Sequence, residues 1–112
     1  MTASLDTRPL DMRREDAAIV RDVLRRYLPA GARAVVFGSR AHGGARRLSD
    51  LDLALEWNRP LGLDLIGQIA EALSESDLSY KTDIVDLSTV DPAFKARILA
   101  DGIPLALNQD TG

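Results

Sequence analysis

The chain has 112 residues, with 17 acidic and 14 basic side chains, a net charge of −3 and no cysteine. This length suits one domain with a single small core. The slight acidic excess argues against a general nucleic-acid-binding protein, which normally carries a basic patch, so we expect no direct nucleic-acid binding. The longest apolar stretches, such as residues 103–107, are five residues long. We expect no membrane span, because a spanning helix needs about 20.

The two ends of the chain are expected to lie outside the folded domain. Residues 1–12 mix charged and apolar side chains and lack the apolar centre of a secretion signal. We predict a flexible tail over 1–12, one domain over 13–107 and a short tail over 108–112. The absence of cysteine is typical of a reducing compartment, so we expect a cytoplasmic protein.

Apolar periodicity and turn residues predict the elements of this domain. Helical spacing of apolar residues predicts two amphipathic helices, and alternating or continuous apolar runs predict strands. Asp91 and Pro92 are typical of a helix start, and Gly102 is typical of a helix end. In chain order we predict a helix over 15–28, strands over 34–37 and 51–56, a helix over 65–73, a strand over 81–87, a helix over 91–101 and an edge segment over 103–107.

The order of these elements indicates the fold class. Only eleven residues, 39–49, separate Gly38, which ends the first predicted strand, from Asp50, which shares a face with Asp52 of the second. This connection barely reaches the dozen or so residues that a parallel crossover needs. We therefore predict an α+β fold with a small mixed β-sheet, antiparallel at least in part, and with helices on one side.

A Gly-Ser pair and three aspartates lie in or next to the predicted strands. Gly38 and Ser39 leave the first strand, Asp50 and Asp52 follow after ten intervening residues, and Asp83 lies in the third strand. A glycine lets the backbone approach a phosphate, a helix after it presents amides to an anion, and the serine adds a hydroxyl donor. Aspartates two apart on a strand share one face, with Cα atoms about 6.6–6.8 Å apart.

Carboxylates without histidine or cysteine favour a hard cation, Mg²⁺ or Mn²⁺, which commonly also binds substrate phosphates. In such a site the metal ions clamp the attacking and leaving oxygens of an in-line displacement at phosphorus. Asp83 could then accept the proton of the attacking hydroxyl. The alternative is that these aspartates are ordinary solvated carboxylates at a strand edge.

Residues 38–55 read Gly-Ser-Arg-Ala-His-Gly-Gly-Ala-Arg-Arg-Leu-Ser-Asp-Leu-Asp-Leu-Ala-Leu. This segment resembles the signature of the polymerase-beta-like nucleotidyltransferase superfamily. More narrowly, the chain is similar to the minimal nucleotidyltransferase domain of prokaryotes, and the resemblance extends over residues 15–107. It implies the nucleotidyltransferase fold, with ATP as substrate and Mg²⁺ or Mn²⁺ as cofactor.

The resemblance also implies roles for individual residues. Gly38 and Ser39 would hold the triphosphate. Asp50 and Asp52 would bind the metal ions, and Asp83 would be the third carboxylate of that site.

The resemblance further implies a partner and a reaction. Many such small proteins are similar to antitoxins that pair with a HEPN-domain ribonuclease toxin and transfer AMP from ATP to a tyrosine of that toxin. We therefore expect a hetero-oligomer and protein AMPylation. Two alternatives stay open: a non-catalytic antitoxin that blocks its partner by occlusion, and a transferase that acts on a small molecule.

Several further residues have two interpretations each. Arg40 could bind a phosphate of the nucleotide or be a solvated arginine. Lys81 shares a face with Asp83 and could meet phosphate or pair with an aspartate, and Asp86 could compete with Asp83 for the metal. Tyr80 and Trp57 could stack on adenine or serve in packing.

The loop after Arg40 carries further charge. His42 could contact phosphate as a cation, but we expect an exposed imidazole. Arg46 and Arg47 are expected to be plain loop charges.

Overall fold

A computed structural model describes residues 12–42, 50–78 and 80–107. Within these ranges the chain forms helices α1 (Arg14–Tyr27), α2 (Ser39–His42), α3 (Leu63–Ser74) and α4 (Pro92–Asp101), and strands β1 (Arg33–Phe37), β2 (Leu51–Glu56), β3 (Thr82–Asp86) and β4 (Ile103–Leu105). Nearly all of both predicted tails lies outside the described residues. None of the helices described is long and apolar enough to cross a membrane.

The four strands form one mixed sheet in the order β3-β2-β1-β4. Strand β1 pairs antiparallel with both β2 and β4, and β2 pairs parallel with β3. The connection from β1 to β2 joins an antiparallel pair, and the longer crossover through α3 joins the parallel pair, which needs a connection of a dozen or more residues. The predicted small mixed sheet is confirmed.

Helices α1 and α3 cover one face of the sheet. Strand residues at alternate positions point toward these helices, because successive side chains of a strand face opposite sides. The resulting core is made of buried apolar side chains, namely Val20, Val23, Leu24, Ala34, Val36, Leu51, Leu53, Leu55, Ile69, Leu73 and Leu105. This core fixes which residues of β1 and β2 must face the other side.

The opposite face carries the fourth helix. Ile98 of α4 packs with Val35, Ala54 and Leu87 in a second, smaller core. The prediction that helices lie on one side of the sheet therefore holds for α1 and α3, whereas α4 lies on the other side. The physical reason is visible in β1, where Ala34, Val35 and Val36 are all buried, because a continuous apolar run is typical of a strand covered on both faces.

The two ends of α4 form as predicted. The side chain of Asp91 accepts a hydrogen bond of 2.9 Å from the backbone N–H of Phe94, and Pro92 occupies the first helical position. At the other end, Gly102 has ordinary extended backbone angles (φ −78°, ψ 164°). Close packing requires a glycine at this position, since a Cβ on residue 102 would lie 2.3 Å from Val35 Cγ1.

We expect Gly102→Ala to lower the free energy of unfolding by about 1–3 kcal/mol, because it overpacks this contact. The added Cβ would also lie 2.7 Å from the carbonyl oxygen of Ile98. Gly67→Ala is the matched control, since a Cβ at this position in α3 meets no atom within 4 Å and alanine should stabilise a helix interior by about 0.5–1 kcal/mol. Chemical denaturation measures both variants, and equal losses would contradict the packing argument.

Candidate active site

The sheet register brings three residues of neighbouring strands into one row. Phe37 of β1 pairs with Asp52 of β2, and Asp52 pairs with Asp83 of β3. By alternation all three face the side of the sheet that carries α4. Asp50 lies one residue before β2 and is exposed, as is Asp83, whereas Asp52 is partly buried. The structure thus places the predicted carboxylates at one end of one sheet face.

The carboxylates act on one another electrostatically. The pKa of Asp52 is raised, first because burial disfavours its charged form and then because Asp83 and Asp50 add negative charge nearby. Among the described residues, no three acidic, histidine or cysteine side chains lie close enough together to hold a metal ion as they stand. The site is therefore a group of mutually repelling carboxylates, not a preformed cage.

Gly38 lies directly against this group. Its φ of +75° is in the left-handed region, and a Cβ on it would lie 2.3 Å from Oδ2 of Asp52. The chain then turns into α2 at Ser39, where the N–H of Ala41 donates to the carbonyl oxygen of Gly38 at 3.0 Å. Glycine is required at position 38 for two reasons: the turn, and the close approach of the Asp52 carboxylate.

Arg40 is buried instead of lying on the surface. The residue is only 5% exposed, and its guanidinium carbon lies 3.9 Å from the centroid of the Tyr80 ring. The solvated-arginine interpretation is wrong, because this side chain is packed inside the domain. Its assignment to phosphate stays a prediction.

A polar network that sequence reasoning missed holds Tyr80. The Tyr80 hydroxyl donates to Oδ2 of Asp16 at 3.1 Å, and Arg13 donates to both oxygens of the same carboxylate at 3.3 Å. Burial, followed by the charge of Asp16, raises the pKa of Tyr80 to about 12, so the hydroxyl stays protonated near neutral pH. The sequence does contain a signal for this buried carboxylate, since Asp16 lies four residues before Val20 and eight before Leu24, on the apolar face of α1.

Asp86 and Trp57 have structural contacts elsewhere. Asp86 accepts hydrogen bonds from the backbone N–H of Leu61 at 2.8 Å and of Ser88 at 2.9 Å, and it lies on the sheet face opposite to Asp83. The Trp57 indole donates to the carbonyl oxygen of Ala30 at 3.1 Å. These contacts favour the structural interpretation of both residues.

The remaining candidates are an exposed lysine and the charged loop. Lys81 is exposed, and its carbonyl oxygen accepts a hydrogen bond from the N–H of Leu51 at 2.8 Å. Arg46, Arg47 and the side chain of His42 lie outside the described residues.

Gly38→Ala should abolish any activity of this site, whereas Gly62→Ala should not. Both glycines have positive φ, +75° and +94°, so alanine strains the backbone at each by about 1–3 kcal/mol. Only at position 38 would the Cβ meet the Asp52 carboxylate, since nothing lies within 4 Å of a Cβ at position 62. Thermal melts of both variants measure the backbone strain, and a nucleotidyl-transfer assay measures the effect of the contact with Asp52. Equal activity of the two variants would refute the close-approach argument.

Comparison with known proteins agrees with this geometry. Residues 20–111 match the family model described as polymerase beta, nucleotidyltransferase. The probable protein adenylyltransferase MntA of Haemophilus influenzae is 38% identical over 86 residues, which cover 77% of this chain and 75% of that protein. A chain in a crystal structure of a toxin–antitoxin with AMP-PNP superposes with a TM-score of 0.71 at 26% identity, covering 83% of this chain and 74% of that one.

A third likeness concerns the fold alone. A chain in the complex of a tri-AMPylated HEPN toxin with an MNT antitoxin from Shewanella oneidensis is 22% identical, has a TM-score of 0.67 and covers 85% of this chain and 72% of that one. The family match over most of the chain and the 38% identical relative show that this chain belongs to the polymerase beta nucleotidyltransferase family.

Proposed function

We propose that this chain is a metal-dependent protein adenylyltransferase. It transfers AMP from ATP to a tyrosine hydroxyl of a HEPN-type ribonuclease toxin and so acts as the antitoxin of that toxin. The observation that carries the proposal is the row of Asp52 and Asp83 beside the Gly38 turn. The named activity of the MntA relative and the toxin–antitoxin complexes among the structural neighbours support it.

The donor set fits a hard divalent cation. Asp50, Asp52 and Asp83 offer only carboxylate oxygens, the ligands that Mg²⁺ and Mn²⁺ prefer. Asp50 and Asp83 are exposed, so their side chains can turn toward a cation beside Asp52. Such a cation would neutralise charge on the triphosphate and offset the burial and the carboxylate repulsion that raise the pKa of Asp52.

The other residues of the motif then have defined tasks. Gly38 brings the backbone close to the nucleotide, and the Ser39 hydroxyl donates to a phosphate oxygen. Asp83 accepts the proton of the tyrosine hydroxyl. The tyrosine oxygen then bonds to the α-phosphorus of ATP, and pyrophosphate leaves. The product is a phosphodiester between AMP and the tyrosine.

The cavity at the Gly38 turn favours a macromolecular acceptor over a small molecule. A cavity beside Gly38 has a volume of about 180 Å³ and is lined by Phe37, Phe94 and Arg97, among other residues. Pockets for small ligands commonly measure about 300–1,000 Å³. An acceptor that carries its own surface, as a folded partner does, would enclose the reacting hydroxyl instead.

Transfer of label tests the proposed reaction. The protein is incubated with α-³²P-ATP, Mg²⁺ and a candidate HEPN-domain partner protein, and compared with Asp50→Asn, Asp52→Asn and Asp77→Asn variants. We expect label on the toxin with the wild type and with Asp77→Asn, an exposed aspartate outside the row. Loss of even an outer contact of a metal site costs about 10–100-fold in activity, so Asp50→Asn and Asp52→Asn should each lose about 100-fold or more.

The same assay can reject the enzymatic proposal. If no label transfers with Mg²⁺ or Mn²⁺, and the Asp52→Asn variant still binds and silences the toxin, the chain neutralises its partner by occlusion. Label on a small hydroxyl compound in place of the toxin would reject the protein acceptor.

Asp52→Asn should also raise the thermal midpoint at pH 7. Burial and the charges of Asp83 and Asp50 raise the folded-state pKa of Asp52, so its charged form destabilises the fold, and the contribution of Asp52 to stability increases as pH falls through that raised pKa. The advantage of the variant should therefore shrink toward acidic pH, and added Mg²⁺ should stabilise the wild type alone.

Melting curves between pH 4 and 8 with and without Mg²⁺ measure these effects, and Asp77→Asn controls for the change in net charge. An Asp52→Asn protein less stable than the wild type at pH 7 would show that the carboxylate stabilises the fold, contrary to the electrostatic argument.

A further inference from the structure

We propose that Arg40 is a positioning residue, and that its stacking on the Tyr80 ring fixes the Gly38-Ser39 turn relative to the strand that carries Asp83. The proposal rests on the nucleotidyl transfer proposed above. It gives Arg40 a role through its neighbours instead of a direct contact with the nucleotide.

The first step is the contact between the two side chains. The guanidinium carbon of Arg40 lies 3.9 Å from the Tyr80 ring centroid, well within the ~6 Å over which a cation and an aromatic face attract each other. Arg40 is 5% exposed, and such contacts are stronger when water is excluded. A planar guanidinium stacked in this way has little freedom to rotate.

The second step is the anchorage of the ring. The Tyr80 hydroxyl donates to Asp16, which is 3% exposed and accepts two hydrogen bonds from Arg13. The ring is therefore tied to the first turn of α1, one of the helices that form the main core. Arg40 stacks on a side chain that is itself fixed by the scaffold.

The third step is the place of both residues in the chain. Arg40 directly follows Ser39, and Tyr80 precedes Asp83 by three residues. The carbonyl oxygen of Lys81, next to Tyr80, accepts from the N–H of Leu51, the neighbour of Asp52. The stack thus joins the turn proposed to hold the triphosphate to the strand ends that carry the carboxylates.

The competing interpretation is that Arg40 leaves the ring to bind the triphosphate. The two interpretations make opposite predictions for the removal of the ring. If the stack positions the Gly38-Ser39 turn, loss of the Tyr80 ring raises the KM for ATP. If Arg40 must leave the ring, loss of the ring leaves nucleotide use unchanged or improves it.

Steady-state kinetics of toxin labelling with varied ATP distinguishes these outcomes. A misplacement of reacting groups by about 1 Å can cost about 100-fold in rate. A loosened Gly38-Ser39 turn should hold the triphosphate less well, so we expect Tyr80→Leu to raise the KM for ATP about tenfold. Tyr80→Phe keeps the aromatic face but loses the hydroxyl bond to Asp16, so its KM for ATP should lie between those of the wild type and Tyr80→Leu. A Tyr80→Leu protein that is folded and has an unchanged or lower KM would overturn the proposal.

A double-mutant cycle adds an independent test. Arg40→Met removes the cation while keeping a long apolar side chain. If Tyr80→Leu does not fold, Arg40→Met tests the coupling from the other side, since it should shift the amide signals of Lys81 and Asp83 in the unliganded protein, and unmoved signals would refute the proposal. Because the two residues act as one unit, the double variant should be no worse than about the worse single variant. Effects of Arg40→Met and Tyr80→Leu that multiply would show that Arg40 acts without Tyr80.

A readout without turnover separates this proposal from the proposed function. In ¹H–¹⁵N spectra of the unliganded protein, Tyr80→Leu should shift the amide signals of Gly38 and Ser39, and Tyr80→Phe should shift them much less. If the wild type transfers no label, the proposed function fails while the spectra still test the coupling. Unmoved Gly38 and Ser39 signals in Tyr80→Leu would refute the positioning role whatever the kinetics show.

Discussion

The register of β1, β2 and β3 is the constraint on which the rest of the site depends. Leu51, Leu53 and Leu55 are fully buried against α1 and α3, so alternation turns Asp52 to the other face. A slip by one residue would bury the carboxylate in the main core and expose the leucines. The hydrophobic effect, acting on residues that do no chemistry, therefore decides where the carboxylate lies.

The same register creates an electrostatic cost that the fold must offset. Asp52 is partly buried beside two other carboxylates, and this raises its pKa. Gly38 brings the backbone still closer and excludes water from one side of the carboxylate. The packing of the two cores holds these carboxylates together, whereas in the unfolded chain they would move apart. Sites of this kind commonly exchange stability for activity.

The sequence was informative where periodicity decides the outcome. Alternation in 51–56 predicted the face of Asp52, and Asp91 with Pro92 predicted the start of α4. The stack of Arg40 on Tyr80 could not be predicted, because it joins residues 40 positions apart in the sequence and no local pattern encodes such a pairing. The helix on the second sheet face was not predicted for a different reason: a continuous apolar run such as that of β1 predicts a strand but does not specify which helix covers each of its faces.

The α4 side of the sheet carries carboxylates at both ends, and the two ends differ in how their charge is balanced. At one end Glu56 pairs with Arg33 and, at 3.2 Å, with Lys95 of α4, and these partners lower its pKa. At the other end, burial and neighbouring carboxylates raise the pKa of Asp52. Both acids lie on β2, four residues apart and on the same face. Among the described residues, cations of the chain itself lower the pKa of Glu56 but none lowers that of Asp52, and this contrast supports the proposal of a bound cation beside Asp52.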